Sequence, residues 1–425
     1  MPNKVLVIGP LQLSLFALSP SKIAIRVKYT LVDEDSQLPE LLSAIEQADL
    51  IGFDTEFVAE DCYRPDLCLL QISTREQVFN VDPKGISSLQ PVWALLVEPS
   101  RTIVVHAGRE EILFAYRATG KTFSHLFDVQ LALGLLGGEF PASYGKLLQR
   151  LLGQSLLKGE TRTDWRKRPL SAAQLEYAAL DVLHLPQLYD SLKQQLIHAG
   201  RSEWLDAEVA RRQKNLLSAQ LLEGWPRISG VQSMHGRQLS VVRELWLWRE
   251  RRAEQRNLPP RRVLRDDLIV EMARRGSADP KKIAHIRGLH FPGFQKFIPE
   301  IAEAIEIGLT KPIPASPWVG TMKRPRPPAL LQQFLTAAMS YLCRTHGIAP
   351  AIVGTSDDVG RLASYWLDPT TAPEPAVDEE ESLILLEGWR GELVGKPLFE
   401  IFSGKKGMRV QDPLDEMPLS LCDLD

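Results

Sequence analysis

Four cysteines in 425 residues, Cys62, Cys68, Cys343 and Cys422, are too few and too scattered for a disulfide framework, and no CxxC pair offers a zinc knuckle. That scarcity fits a reducing compartment, and a cytoplasmic location is expected. Long apolar runs are missing as well. The opening stretch Val5 to Leu18 is interrupted by Gly9-Pro10, follows a single lysine and lacks a small-residue cleavage site. It is too short for a membrane span and a poor secretory signal, so residues 1–24 read as a peripheral segment. No later stretch is long and apolar enough to cross a bilayer, and no membrane partner is expected. Net charge is nearly absent, at −3. That small total conceals a segregation: residues 211–330 hold 23 Lys and Arg against 11 Asp and Glu, whereas 371–425 hold 5 against 13. Such a basic block suits either a module facing a polyanion or a set of solvated helix faces.

The chemistry concentrates in three stretches. In Leu50–Phe57 an apolar run carries Asp54 and Glu56, spaced i and i+2. In a strand both acids share one face, while Phe53, Thr55 and Phe57 take the other. Two adjacent carboxylates are costly to bury without something positive between them. A divalent cation meets that need; a strand end with solvated acids is the alternative. The second stretch, His106-Ala107-Gly108-Arg109-Glu110-Glu111, reads as a strand giving way to a helix with Glu111 near its first turn. Alone it also fits the ordinary preference of helix starts for acids. In the third, Tyr177 and Asp181 stack on one face of an apolar helix at i, i+4. The basic run Thr161–Pro169, with Arg166 and Arg168, precedes it and is either a phosphate-holding segment or a wet loop.

Four carboxylates around one point cannot all stay ionised without cations. Two Mg²⁺ ions about 3.5–4 Å apart neutralise such a set and suit in-line hydrolysis of a phosphodiester. Tyr177, too weakly acidic to be the principal base, is placed to orient an attacking water.

Short strands near 24–32, 50–57, 67–72, 78–81, 101–105 and 126–128 alternate with helices at 37–47, 91–97, 109–117, 129–136 and 144–152. A long helix over 171–196 follows, started by a capping box at Ser171 and Gln174. This is an α/β domain over residues 25–210. Residues 201–222 read as a charged helical stretch of connector type, and 230–312 hold four short helices with tight turns. Six prolines between Lys311 and Pro328 make a stiff linker, residues 313–327. A second helical unit, 328–410, is interrupted by the acidic, proline-bearing Pro369–Glu381, and 411–425 form an acidic tail.

The three motifs, in this order and spacing, resemble those of the ribonuclease D family, the DEDD 3′→5′ exonucleases with tyrosine in the third motif. Trp165 to Leu170 is similar to that family's run before the last helix. Residues 230–312 resemble the HRDC domain that follows, and 328–410 resemble a second, degenerate copy, with 211–229 as the connector. The resemblance implies a ribonuclease-H-like domain with a mixed sheet followed by small all-helical domains. It also implies two Mg²⁺ or Mn²⁺ ions held by Asp54, Glu56, Glu111 and Asp181, with Tyr177 catalytic and His106 and Asp128 in support. The implied activity is stepwise hydrolysis of RNA from a free 3′ hydroxyl, releasing nucleoside 5′-monophosphates, on transfer RNA precursors and other small stable RNAs, by a monomer. Arg251, Arg252, Arg261, Arg262, Lys281 and Lys282, with Arg166 and Arg168, are the expected phosphate contacts. One departure stands out: the family has Asp where this chain has Glu111. The alternatives are an exonuclease acting on DNA and an RNA-binding protein whose catalysis Glu111 has weakened.

Overall fold

The computed structural model describes residues 27–155, 163–289, 292–312, 325–368 and 383–424. The N-terminal segment 1–24, most of the proline-rich linker and the stretch Pro369–Glu381 lie outside the described residues.

Six apolar runs form one mixed sheet: β1 (Thr30–Val32), β2 (Leu50–Val58), β3 (Asp66–Ser73), β4 (Val78–Val81), β5 (Thr102–Val105) and β6 (Leu126–Asp128). Their order is β1-β4-β3-β2-β5-β6. β3 runs antiparallel to both β2 and β4, and the remaining pairs are parallel. The central strands are buried on both faces, which is why they read as near-continuous apolar runs. Phe53, on one face, meets Trp93 and Phe123 edge-on at 5.8 and 6.0 Å. Helices α1 (Leu38–Gln47), α2 (Gln90–Leu96) and α3 (Arg109–Thr119) cover that side. On the other side lie α4 (Val129–Leu135), α5 (Tyr144–Leu152), α6 (Ala172–Leu183) and α7 (Leu185–His198).

The single helix expected over 171–196 is two helices, broken at His184. Pro186 has no N–H to give the carbonyl of Val182, four residues back. The freed Val182 oxygen accepts instead from the Ser73 hydroxyl at 2.7 Å, fastening the break to β3. At this crossing a Cβ on Gly52 would stand 2.3 Å from Ser73 Oγ and 2.9 Å from Leu185 Cβ, so only glycine lets β2 lie so close. The start of α6 is the expected capping box of Ser171 and Gln174.

The charged helix expected over 201–222 is α8 (Ser202–Leu221), and it packs into the domain with Leu205, Glu208 and Val209 buried. The first helical module follows: α9 (Arg237–Gln255), α10 (Pro260–Val263), α11 (Asp266–Arg275), α12 (Pro280–Ala284), α13 (Pro292–Gln295) and α14 (Ile298–Thr310). It closes around its own core, with Trp248, Ile269, Ile301 and Ile305 inside. The second comprises α15 (Ala329–Thr345), α16 (Pro350–Val353), α17 (Ser356–Leu367), α18 (Gly388–Arg390) and α19 (Lys396–Phe402). Its buried Leu335, Leu342, Val353 and Leu398 belong to the same continuous core as the sheet. It is an extension of the α/β domain and not a separable bead. Arg390 fixes this junction, bonding Glu208 at 2.7 Å and the carbonyls of Ile352 and Val353 at 2.8 and 2.9 Å. Trp204 stacks on Trp389 at 5.0 Å beside it. The residues expected as an acidic tail form half of a hairpin, with β8 (Leu419–Asp423) antiparallel to β7 (Lys406–Val410).

Candidate active site

The alternation of β2 sorts its side chains as its spacing predicts. Gly52, Asp54 and Glu56 face α6, and Phe53, Thr55 and Phe57 face α3. A register shift between Glu56 and Phe57 follows at once, a bulge of the kind that ends regular pairing beside functional groups. β5 pairs with β2 only from Leu50 to Gly52, so that edge of β2 is open at Asp54 and Glu56. The chain leaving β5 turns at Ala107-Gly108 into α3, and Glu111 enters this open edge from the first helical turn. Ala107 holds a left-handed backbone, φ 59°, while the Asp128 carboxylate accepts its N–H at 3.2 Å. Asp128 also caps α4 through the N–H groups of Gln130 and Leu131 at 2.8 and 3.3 Å. His106 Nε2 lies 2.9 Å from the Ala142 carbonyl. Both residues therefore stand behind the site and shape the turn that delivers Glu111.

Asp54, Glu56, Glu111, Tyr177 and Asp181 gather where β2, α3 and α6 meet, close enough for their charges to act on one another, and this gathering is the candidate cleft. Burial, then the charges of Glu111, Asp181 and Glu56, hold the Asp54 carboxyl well above the ordinary carboxylate range. Burial, then Asp181 and Glu111, push Glu56 up to about 8. Glu111 rises to about 7 through burial, against a hydrogen bond donated by the Thr55 hydroxyl at 2.5 Å. Asp181 rises to about 7 through burial, against a hydrogen bond from Tyr177. Burial and the surrounding acids keep the Tyr177 phenol protonated. Tyr144, buried with its ring 5.6 Å from that of His106, is likewise raised by burial and then by the charge of Asp181. The charges acting on Glu56 are carboxylates, so the cluster is short of positive charge where its oxygens gather.

Such hard oxygen donors fit Mg²⁺ or Mn²⁺. Among the described residues no three His, Cys, Asp or Glu side chains are drawn together tightly enough to grip one ion as they stand. Glu111 is turned toward Thr55 and Asp181 toward Tyr177, the disposition expected of repelling acids given other partners.

The basic residues separate into two groups. Arg168 is engaged inside the domain: it pairs with Asp82 and donates to the carbonyls of Cys68 and Trp165 at 2.8 and 2.7 Å. It braces the segment before α6 instead of facing RNA. Arg166 bonds Asp61 at 2.6 Å and Asp66 at 3.1 Å, and Arg252 pairs with Glu300. Arg251, Arg261, Arg262, Lys281 and Lys282 are exposed. The loop after β2 docks on this module, with Arg64 bonding Glu254 at 2.8 Å and the Tyr63 N–H donating to Asn257 at 3.1 Å.

Sequence reasoning missed Thr55, Gln71, Asn80 and Tyr144. For Gln71 and Asn80 a signal existed: each is a lone amide in an otherwise apolar strand run, Leu69-Leu70-Gln71-Ile72 and Val78-Phe79-Asn80-Val81.

A family model described as a 3′-5′ exonuclease matches residues 29–197, and one for the HRDC domain matches 238–305. Ribonuclease D of Gluconacetobacter diazotrophicus is 32% identical over 381 residues, covering 88% of this chain and 93% of that protein. Ribonuclease D of Bartonella henselae is 29% identical over 385 residues, covering 89% and 91%. The crystal structure of Escherichia coli RNase D, an exoribonuclease involved in structured RNA processing, shares 25% identity and a TM-score of 0.73. It covers 89% of this chain and 99% of that one.

Proposed function

The chain belongs to the ribonuclease D family of 3′→5′ exoribonucleases, and from that premise we propose that its cleft shortens RNA stepwise from a free 3′ hydroxyl. The products are nucleoside 5′-monophosphates, and the substrates are transfer RNA precursors and other small stable RNAs. The observation that carries this reading is the gathering of Asp54, Glu56, Glu111 and Asp181 from β2, α3 and α6, with Tyr177 bonded to Asp181. These four carboxylates would hold two divalent cations, Mg²⁺ or Mn²⁺. Bound there, such ions supply Lewis acidity to the scissile phosphate and lower the pKa of an attacking water. The chain's own contribution is positional. Tyr177, kept neutral, holds a hydrogen-bond donor at the cleft and cannot serve as the base at neutral pH. The turn held by Asp128 and His106 sets where Glu111 enters.

The exposed Arg251, Arg261, Arg262, Lys281 and Lys282 offer phosphate contacts that are salt-dependent and indifferent to sequence. Support for this comes from the docking of the loop after β2 on the same module, which puts Arg262 within reach of the Asp61 charge. The four free cysteines support a cytoplasmic enzyme. Among the described residues no helix is long and apolar enough to cross a membrane. The test is digestion of end-labelled RNA and DNA oligomers of one sequence, with free or blocked 3′ ends, in Mg²⁺, Mn²⁺ or EDTA. Shortening of unblocked RNA alone, lost in EDTA and in Asp181→Asn, is expected; an Asp181→Asn enzyme as fast as wild type would end the assignment.

A further inference from the structure

Gln71 sits in the middle of β3, fully buried, and neither atom of its side-chain amide has a hydrogen-bond partner among the described residues. Its cross-strand neighbours are Asp54 on β2 and Asn80 on β4. Residues directly opposite in antiparallel strands project from the same face, so Asp54, Gln71 and Asn80 form a polar row across the sheet. Two contacts show that this face lies under α6. Asn80 Nδ2 donates to the Leu175 carbonyl at 2.7 Å, and Ser73 Oγ donates to that of Val182 at 2.7 Å. Between those two carbonyls, Ala178 and Ala179 of α6 are fully buried and carry no polar side chain, while Tyr177 and Asp181 are bonded to each other. The Asn80 Oδ1 atom is also without a partner. An apolar side chain of the same length would fill this place without leaving a buried amide unbonded, so the glutamine is a burden on the chain as it stands. A group of this kind has its use in another state of the molecule. The neighbour whose demand for a donor changes most is the Asp54 carboxylate, which takes a hydrogen bond from the Thr55 backbone.

We propose that Gln71 is a positioning residue for the cation site, its amide donating to the Asp54 carboxylate once that carboxylate holds a cation and fixing its orientation from beneath. The proposal rests on the cation-binding reading of the cleft given above. It assigns Gln71 a role through Asp54, with no contact to substrate, and makes Asn80 the next member of the row, tied to α6. Partners of this kind behind metal-ligating groups typically change metal affinity 10–100-fold when removed.

The experiment is Mn²⁺ binding by titration calorimetry on the full chain, with urea unfolding in EDTA and in Mn²⁺, for wild type, Asp54→Asn, Gln71→Met and Gln71→Leu. Methionine keeps the length and removes the amide, and leucine serves should methionine not fold. Expected is an apolar variant at least as stable as wild type in EDTA, with Mn²⁺ affinity weaker by about 10–100-fold and a smaller stabilisation by Mn²⁺. Wild-type Mn²⁺ affinity in the variants would overturn the proposal. So would an equal loss of stability in EDTA and in Mn²⁺, the pattern of an amide that serves the sheet by bonding Asn80. Unaltered Mn²⁺ binding in Asp54→Asn would instead remove the cation-site reading itself, and the role of Gln71 with it.

Discussion

Glu111→Asp installs the residue type that the resemblance to the family leads one to expect at this position, yet the structure predicts a loss. The Glu111 carboxylate accepts from the Thr55 hydroxyl at 2.5 Å, and both residues are only 5% exposed. Removing a methylene withdraws the carboxylate by roughly one carbon–carbon bond, about 1.5 Å. The Thr55 hydroxyl is then left buried without its acceptor, at a cost of about 1–3 kcal/mol. The same withdrawal misplaces one of four converging acids, and a displacement of about 1 Å near reacting groups costs about 100-fold in rate. The expected result is a variant less stable in EDTA by about 1–3 kcal/mol in urea unfolding, with kcat/KM on an RNA oligomer down by about 10- to 100-fold. Thr55→Val tests the cause, because the double variant should lose less than the sum of the single losses. A Glu111→Asp enzyme that is as stable as wild type and faster would refute this reasoning, since the longer side chain would then be a handicap and not a fitted part.

Two further outcomes follow from the same structure. Glu56 is raised from 4.5 to about 8, so the folded chain without metal keeps a proton that the unfolded chain releases near 4.5. Stability in EDTA should therefore fall as pH rises from about 4.5 to about 8, by about 1.4 kcal/mol per tenfold difference in proton affinity at most. Urea titrations at pH 5 and pH 8 should show this slope, Glu56→Gln should reduce it, and saturating Mn²⁺ should abolish it, since the carboxylate is then ionised in both states; equal slopes for Glu56→Gln and wild type would contradict the attribution. At the module junction, Arg390→Met takes from buried Glu208 one of its three guanidinium partners, Arg211 and Arg212 remaining, and should cost less than the about 3–5 kcal/mol of a buried charge left wholly unpaired, read as a lower urea midpoint, with partial recovery on adding Glu208→Gln.

The parts of this molecule legible in sequence are those set by local periodicity. Period two placed Asp54 and Glu56 on one face of β2, with Phe53 and Thr55 opposite; period 3.6 stacked Tyr177 over Asp181; the capping box marked the start of α6. What escaped depends on pairing between distant segments. Gln71 comes to lie beside Asp54 only through the register of β2 with β3, which nothing in either strand alone encodes. The hydrogen bond from Thr55 to Glu111 joins residues 56 apart in sequence. The first turn of α7 looked helical throughout, and only the donor missing at Pro186 betrays the break. Helix α8 is legible as a charged helix, but its packing into the domain is not, because its charges mimic a solvated surface. Buried Glu208 is paired by Arg211, by Arg212 and by Arg390, 182 residues beyond it, so the buried face carries a polar signature.

That buried junction bears on the cleft, because the acids raise the free energy of the folded chain and something must hold their elements in place. Burial and mutual repulsion act on Asp54, Glu56, Glu111 and Asp181 together, which favours separation of β2, α3 and α6. α7 continues from α6 past His184 and is followed by Arg201, whose guanidinium donates to the carbonyls of Leu135 and Gly347 at 2.6 and 2.8 Å. The second of those carbonyls belongs to the C-terminal module, and Glu208 on α8 reaches Arg390 in the same module. The helices behind the cleft are thus braced by a module whose apolar residues share the core of the sheet. Ending the chain at residue 325 should therefore expose that core and unfold the α/β domain. An excised module that only bound RNA would behave differently, leaving a stable enzyme with weaker affinity. Proteolysis and urea unfolding of the shortened chain distinguish the two: a cooperative transition at the wild-type midpoint would mean that the junction does not support the cleft.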